Sequence, residues 1–410
     1  MRIEITARSA APLLLAILAL VPRVGRPQGG DPLGPEFRVN TTTTQEQTQP
    51  SVAADASGNF VVTWTSESPI FGQRYAGSGA PLGSEFLVSD SFPCCRDSSV
   101  ATDSAGNFVV VWLYGSLEQS AVFGRRFSSS GAPLGDTFIV GGGYSYSPVV
   151  AGDPAGNFTV VWANFDAGSA TDVIGRRYDS SGNPLGSAFL VNTSTTSDQE
   201  RPSVAADAAG NFIVVWSSYG QDGSSEGVFG QRYLGSGTPL GPEFRVNSST
   251  GGPQDQPSVA ADAAGNFVVA WAGNDGSTFG IFGQRYASSG APLGSEFRVN
   301  TYTTNIQYRP SIATDSSGNF VVVWDSFMQD GDDRGIFGQR YAASGVPLGP
   351  EFRVSTYTTS LQALGRVASD PTGNFVVVWE SQGQDGDGRG VFGQRFGRIV
   401  PVELLQFHVE

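Results

Sequence analysis

The sequence predicts an all-β fold: a seven-bladed β-propeller of four-stranded blades, its ring closed by an N-terminal outer strand. Three observations predict it. The first is a motif repeated seven times, in which an Asp precedes a Trp by nine positions: Asp55 and Trp64, Asp103 and Trp112, Asp153 and Trp162, Asp207 and Trp216, Asp262 and Trp271, Asp315 and Trp324, Asp370 and Trp379. Self-similarity at a period of about 50 residues marks a repeat architecture. The second is a gradient across each repeat, from small through bulky to polar residues. The third is a displaced fragment at the N-terminus that completes the last repeat.

Each repeat carries four strand signals separated by turns. In the fourth copy, Pro202 to Asp207 reads as strand A and Asn211 to Trp216 as strand B; Val228 to Tyr233 reads as strand C and Glu243 to Asn247 as strand D. The A–B turn is Asp207-Ala208-Ala209-Gly210-Asn211. Its Asp can accept from turn N–H groups, and its Gly supplies a positive φ. The C–D turn is Gly237-Thr238-Pro239-Leu240-Gly241, in which Pro pre-sets φ and Gly allows the reversal.

Strand A uses small residues such as Ala205 and Ala206, and strand B is apolar on both faces, as a doubly buried strand requires. Strand D alternates, with Phe244 and Val246 inward and Arg245 and Asn247 outward, as a half-exposed edge does. Small inside, bulky in the middle and polar outside suits blades radiating from a crowded axis. The last repeat stops after strand C, at Phe396-Gly397, while Gly30-Asp31-Pro32-Leu33-Gly34 and Glu36-Phe37-Arg38-Val39-Asn40 supply a C–D turn and a strand D at the start of the chain. Residues 30–40 therefore close the ring and remove its free edges.

Strand C carries Phe-Gly-Gln/Arg-Arg-Tyr/Phe in nearly every copy, with Ile174 replacing Phe once. Its Arg residues are Arg74, Arg126, Arg177, Arg232, Arg285, Arg340 and Arg395. They form either an anion-binding ring or one inter-strand or inter-blade hydrogen bond per blade. A feature present in every blade serves the blade, which favours the second. The Gly in the same element leaves room for an aromatic ring over the backbone.

Composition narrows the chemistry. All 24 basic residues are Arg, so no Lys nucleophile or Lys base is available, and the one His, His408, lies two residues from the C-terminus. A Ser-His-Asp triad and a His-rich zinc site are therefore not expected. Arg2 and Arg8, followed by the short apolar run Ala10 to Val21, read as a cleaved secretory signal over residues 1–28. The run is too short to span a bilayer comfortably. Removing that segment takes away four Arg and one Glu, and the formal net charge moves from −14 to about −17. So acidic a surface argues against nucleic acid and anionic membrane as partners. The expected product is a monomeric propeller over residues 29–397 with a tail over 398–410, placed outside the cell, in a periplasm or on a cell surface.

The adjacent Cys94 and Cys95 either form a strained vicinal disulfide, pair between chains, or stay as thiols in an irregular loop. The A–B and C–D turns share one rim and hardly vary. The B–C and D–A loops share the other rim and do vary, so function is expected there. Among the B–C loops, Asp222, Asp275, Asp330, Asp332, Asp333, Asp385 and Asp387 sit in Gly-rich turns. Ca²⁺ is a candidate cofactor, with Asp330, Asp332, Asp333, Asp385 and Asp387 as ligands. The alternative is an ordinary Asp-Gly hairpin turn. The D–A loops mix hydroxyl, amide and aromatic groups, including Tyr302, Tyr308 and Tyr357. With Asp222 and Asp275 these are the candidate ligand contacts, and the mixture suits a sugar. Paired carboxylates for glycoside cleavage could come from Asp325, Glu380, Asp332 and Asp387.

The element Asp-x-x-Gly-Asn-Phe-x-Val-x-Trp followed by Phe-Gly-Gln-Arg-Tyr resembles repeats of exported, mostly uncharacterised bacterial proteins. Its first half is similar to NHL-type propeller repeats and, more distantly, to the Asp-box of sialidases; its second half is similar to FG-GAP repeats. The resemblance spans about Gly30 to Gly397 and implies a propeller. It carries over no active residue: the Asp-box has its Trp closer to its Asp, the FG-GAP calcium loop is denser in acids than Asp330 to Asp333, and NHL rings usually have six blades. The reading that follows is a secreted or cell-surface binding module for a glycan or protein. The alternatives are an extracellular glycosidase or lyase, and a purely structural protein stabilised by Ca²⁺.

Overall fold

The computed structural model describes residues 30–89, 94–116, 119–165 and 170–398. The expected leader and all of the tail except Arg398 lie outside them. Every regular element described is a strand. They form seven antiparallel four-stranded units, of which the second and third are joined by a single parallel bridge between Ser120 and Tyr144. The inner strands touch one another in sequence around the ring, the last against the first, and so line a central axis. This is a seven-bladed β-propeller.

Ring closure is as the sequence predicts. Phe37 pairs with Gly393 and Arg38 with Phe392, so strand D of blade 7 is N-terminal. The Val39 N–H donates to Val391 O at 2.8 Å, and the Leu33 N–H to Arg395 O at 2.8 Å.

Strand limits differ from expectation. In blade 4, strand A runs Gln199–Ala206, B Phe212–Tyr219 and C Glu226–Tyr233, while D pairs only over Phe244–Arg245. The expected outward Asn247 is instead 1% exposed. Its Oδ1 accepts the Val228 N–H at 2.7 Å and its Nδ2 donates to Ser249 O at 2.7 Å, so it caps the strand and fastens the D–A loop.

Seven apolar clusters lie between neighbouring blades, each holding one of the seven Trp. None of those Trp is more than 3% exposed, so they pack blade on blade. The glycine prediction holds: a Cβ on Gly72, Gly124, Gly175, Gly230, Gly283, Gly338 or Gly393 would meet a Phe ring at 2.6 to 3.1 Å. Each turn Asp works as expected. Asp207 Oδ1 accepts the N–H groups of Ala209 and Asn211 at 2.9 and 2.8 Å, and its Oδ2 accepts Asn211 Nδ2 at 2.8 Å. In six blades the strand C Arg binds a backbone carbonyl of the next blade, as in Arg74 to Ser129 O at 2.6 Å and Arg232 to Ser288 O at 2.7 Å. These six are inter-blade ties.

Candidate functional site

The two ends of the axis differ. At one end the A–B turns of all seven blades ring a shallow depression, and these turns are nearly identical. At the other end each inner strand contains a bulge. In blade 1 the register with strand B shifts between Thr48 and Ser51, and the same shift recurs in every blade. Two inner-strand residues there oppose one residue of strand B, which kinks the strand and re-aims its side chains. The first residue of each bulge is left-handed: Gln49, Asp97, Ser147, Arg201, Gln256, Arg309 and Leu364 all have φ between 51° and 57°. Non-glycine residues rarely adopt this conformation. The backbone is the same in seven blades and the side chain is different in most of them.

The neighbouring positions diverge as well. The residue after each Trp is Thr65, Leu113, Ala163, Ser217, Ala272, Asp325 or Glu380. The residue before each bulge is Thr48, Arg96, Tyr146, Glu200, Asp255, Tyr308 or Ala363. The polar members of these three layers form a cluster at the variable mouth of the axis, while Leu113 and Ala272 pack in the inter-blade core.

Its bonding is dense. Asp325 is 2% exposed; its carboxylate accepts the Leu364 N–H at 3.2 Å and the Gly365 N–H at 3.4 Å, and faces Arg309 at 3.5 Å. Glu380 is 3% exposed, pairs with Arg389 at 3.0 Å and accepts the Gln49 N–H at 3.3 Å. Asp255 accepts from Arg201, from the Ser217 hydroxyl at 2.7 Å and from the Tyr308 hydroxyl at 3.3 Å. Asp97 accepts Gln49 Nε2 at 2.6 Å and lies 3.8 Å from Arg96. Tyr146 donates to Thr171 Oγ1 at 2.7 Å or Glu200 at 3.3 Å. Burial pushes the Asp325, Glu380 and Asp97 carboxyls up, against the pull of Arg309, Arg389 and Arg96 respectively.

Arg366 is the deepest departure from the repeat. It occupies the place held by Ser51, Ser99, Ser203, Ser258 and Ser311. Those hydroxyls accept an inner-strand N–H of the following blade at 3.2 to 3.3 Å. Arg366 instead carries a guanidinium that donates to Gly365 O at 3.2 Å and lies within electrostatic reach of Asp325, Asp97 and Glu380, and of the like-charged Arg309. Burial pulls its pKa down, and the carboxylates oppose that shift.

Of the residues singled out in the sequence, Tyr308 and the carboxylates Asp325 and Glu380 reach the mouth. Asp222, Asp275 and the acids of blades 6 and 7 belong to the B–C turns. Asp275 accepts Ser277 and Thr278 N–H groups at 3.0 and 2.8 Å and pairs with Arg298 at 2.6 Å. Asp222 and Asp385 each meet an Asn side-chain amide at 3.3 Å, from Asn247 and Asn40. In blade 6, Ser355 stands in place of that Asn, and burial pushes the Asp330 carboxyl up. Asp332 caps Asp333 and Ser360 N–H groups, Asp387 caps Gly388, and Asp333 lies 4.0 Å from Arg334. Among the described residues no three His, Cys, Asp or Glu side chains converge to hold a metal. Tyr302 and Tyr357 are half-buried in the D–A loops. Cys94 is exposed, with φ 80°, just before the strand that begins at Cys95, and Cys95 is buried in the inter-blade core; no disulfide joins the two.

Arg201, Arg309, Arg366, Asp97 and Asp255 are visible in the sequence as departures at fixed offsets from the Trp. Pro50, Pro148, Pro202, Pro257 and Pro310 mark the bulge that brings them together, since Pro inside a strand signals one.

No family model and no curated protein matches the chain. Solved structures do. A polysaccharide lyase of family PL25, an ulvan lyase, aligns over 88% of this chain and 96% of its own at 9% identity and a TM-score of 0.54. The α-L-arabinanase of Penicillium chrysogenum, complexed with arabinobiose, aligns over 78% and 99% at 12% identity and a TM-score of 0.51. The β-propeller domain of the trilobed protease from Pyrococcus furiosus aligns over 90% and 100% at 7% identity and a TM-score of 0.50. These likenesses establish the propeller fold.

Proposed function

We propose that the protein is an exported or cell-surface binding module, and that its variable mouth recognises a glycan. One observation carries the reading: sequence divergence concentrates where seven equivalent backbone positions converge on the axis, from Gln49 to Leu364. A scaffold that repeats everywhere else and differs there offers unlike polar groups to one ligand. Carboxylates, guanidiniums, amides and tyrosine hydroxyls match the alternating donors and acceptors of sugar hydroxyls.

Aromatic residues on the same rim support it. The third residue after Trp is Phe165, Tyr219 and Phe327 in blades 3, 4 and 6, where other blades carry Glu67, Gly115, Asn274 and Gln382. These three rings are 39%, 54% and 37% exposed, so they offer an apolar face to a sugar ring.

A glycan array probed with the labelled protein tests the reading. Binding is expected, and is expected to fall at least about tenfold in Arg201→Gln and in Tyr219→Ala, a loss of about 1.4 kcal/mol. Absence of glycan binding, or binding indifferent to both substitutions, defeats it. A second reading is polysaccharide cleavage at the same mouth, favoured by the raised carboxyls of Asp325 and Glu380. Turnover abolished by Glu380→Gln would select it over binding alone.

A further inference from the structure

We propose that Arg366 seats a carboxylate at the mouth, and that the ligand is an acidic saccharide held by a uronic acid unit. The proposal deepens the glycan-binding reading and rests on it.

Three features of the residue support it. First, Arg366 breaks the repeat at a position where Ser serves the fold in five blades. The blade gives up an inter-blade hydrogen bond there and gains a cation inside the ring. Second, the guanidinium is under-used. Its one hydrogen bond is to the adjacent carbonyl, Gly365 O, at 3.2 Å, and among the described residues it makes no ion pair. An Arg has five donors in a planar fork shaped for a carboxylate. Third, the carboxylates around it are committed elsewhere. Asp325 faces Arg309 at 3.5 Å, Glu380 pairs with Arg389 at 3.0 Å and Asp97 lies 3.8 Å from Arg96. Each of these three acids thus has an Arg partner other than Arg366, while Arg366 forms no ion pair among the described residues.

A protein of net charge −14 repels anions at long range, so this cation would act only on a group brought into contact. A sugar provides that contact through its hydroxyls, which the polar groups of the mouth can engage, while its carboxylate meets Arg366. Enclosure by the ring strengthens the pair by limiting water. Arg is better suited than Lys to this role because two parallel N–H groups fix the carboxylate plane.

The test measures binding of D-galacturonate, D-galactose and acetate to wild type, Arg366→Ser and Arg366→Lys by titration calorimetry. Arg366→Ser installs the residue that five blades already carry, so its melting temperature is expected to match or exceed that of wild type. Wild type is expected to bind galacturonate at least about tenfold more tightly than galactose, with acetate weaker than galacturonate. Both variants are expected to lose that preference, Arg366→Lys less than Arg366→Ser. Equal binding of the two sugars by wild type, or a preference retained in Arg366→Ser, overturns the proposal while leaving glycan recognition standing. Acetate binding as tightly as galacturonate overturns the saccharide assignment. Failure of both sugars overturns the proposal, and the glycan array then decides whether the wider reading falls with it.

Discussion

The contact that closes the ring can be tested by a double-mutant cycle on Phe37 and Gly393. Phe37 comes from the start of the chain and Gly393 from its last strand, and they are direct partners. The tip of the Phe37 ring sits over Gly393, where an added Cβ would come within 2.7 Å of it. The same ring stands 5.4 Å from Tyr75 and 6.3 Å from Phe60, so it also joins blade 7 to blade 1. Gly393→Ala alone forces a methyl into that contact, and overpacking of this kind costs about 1–3 kcal/mol. Phe37→Ala alone empties a partly buried site and costs about 3 kcal/mol, the lower end of the range for Phe. In the double variant the methyl meets no ring, so its cost falls, and the pair is less destabilised than the sum by at least about 1 kcal/mol. Urea unfolding of the four proteins measures each quantity. Additivity within about 0.5 kcal/mol would mean that Phe37 does not cover Gly393. The outer strand of blade 7 would then not come from the N-terminus, and the closed ring would be refuted.

Asp207→Ala removes three hydrogen bonds from one A–B turn and is expected to cost about 1–3 kcal/mol in urea unfolding; a neutral result would remove the turn Asp from the account of the fold. The elevated carboxyl of Asp325 gives a pH signature. A carboxyl whose folded pKa lies above its unfolded value of about 3.9 favours folding in its protonated form, and that contribution fades as pH rises through the folded pKa. The melting temperature of wild type relative to Asp325→Asn should therefore decline from pH 4 upward; a flat difference rejects the raised pKa. Asp275 behaves oppositely. Burial pushes it up, but the Thr278 and Ser277 N–H groups, the Ser277 hydroxyl and Arg298 outweigh that and hold it at about 2. Its contribution is present above pH 4 and is lost as pH falls toward 2, so Asp275→Asn should flatten the acid limb of a pH–melting curve.

The scaffold was legible because each of its parts is local and repeated. The turn Asp, the left-handed Gly, the Gly under the aromatic ring and the Arg tie each require particular chemistry, so each recurs at a fixed offset from Trp. The closing strand was legible from Phe37 and Val39, which reproduce the pattern of Phe244 and Val246. Asn247 was misread because alternation predicts the face of a strand only while the strand continues; beyond Arg245 the chain turns in, and the amide becomes a cap. The mouth was only partly legible. Its residues come from seven segments about 50 residues apart, and their common feature is a backbone bulge rather than a side-chain type. Asp325 and Glu380 were visible as acids, but Arg366 reads as an ordinary strand residue until its place beside five serines is known. The acidic B–C turns were visible as well, and there Asp beside Gly serves backbone N–H groups, as Asp222 and Asp387 do.

The seam of the ring also fixes which way the molecule faces. The Gly397 N–H donates to Asp31 O at 2.9 Å, so the two ends of the described chain meet side by side. Both lie at a C–D turn, on the rim opposite the mouth. The described chain therefore begins and ends on the face opposite the mouth. The same proximity means that a short linker could join Gly30 to Gly397 and the chain could be reopened at another blade. Such a permutant would keep the ring and its mouth while moving the two chain ends to another blade.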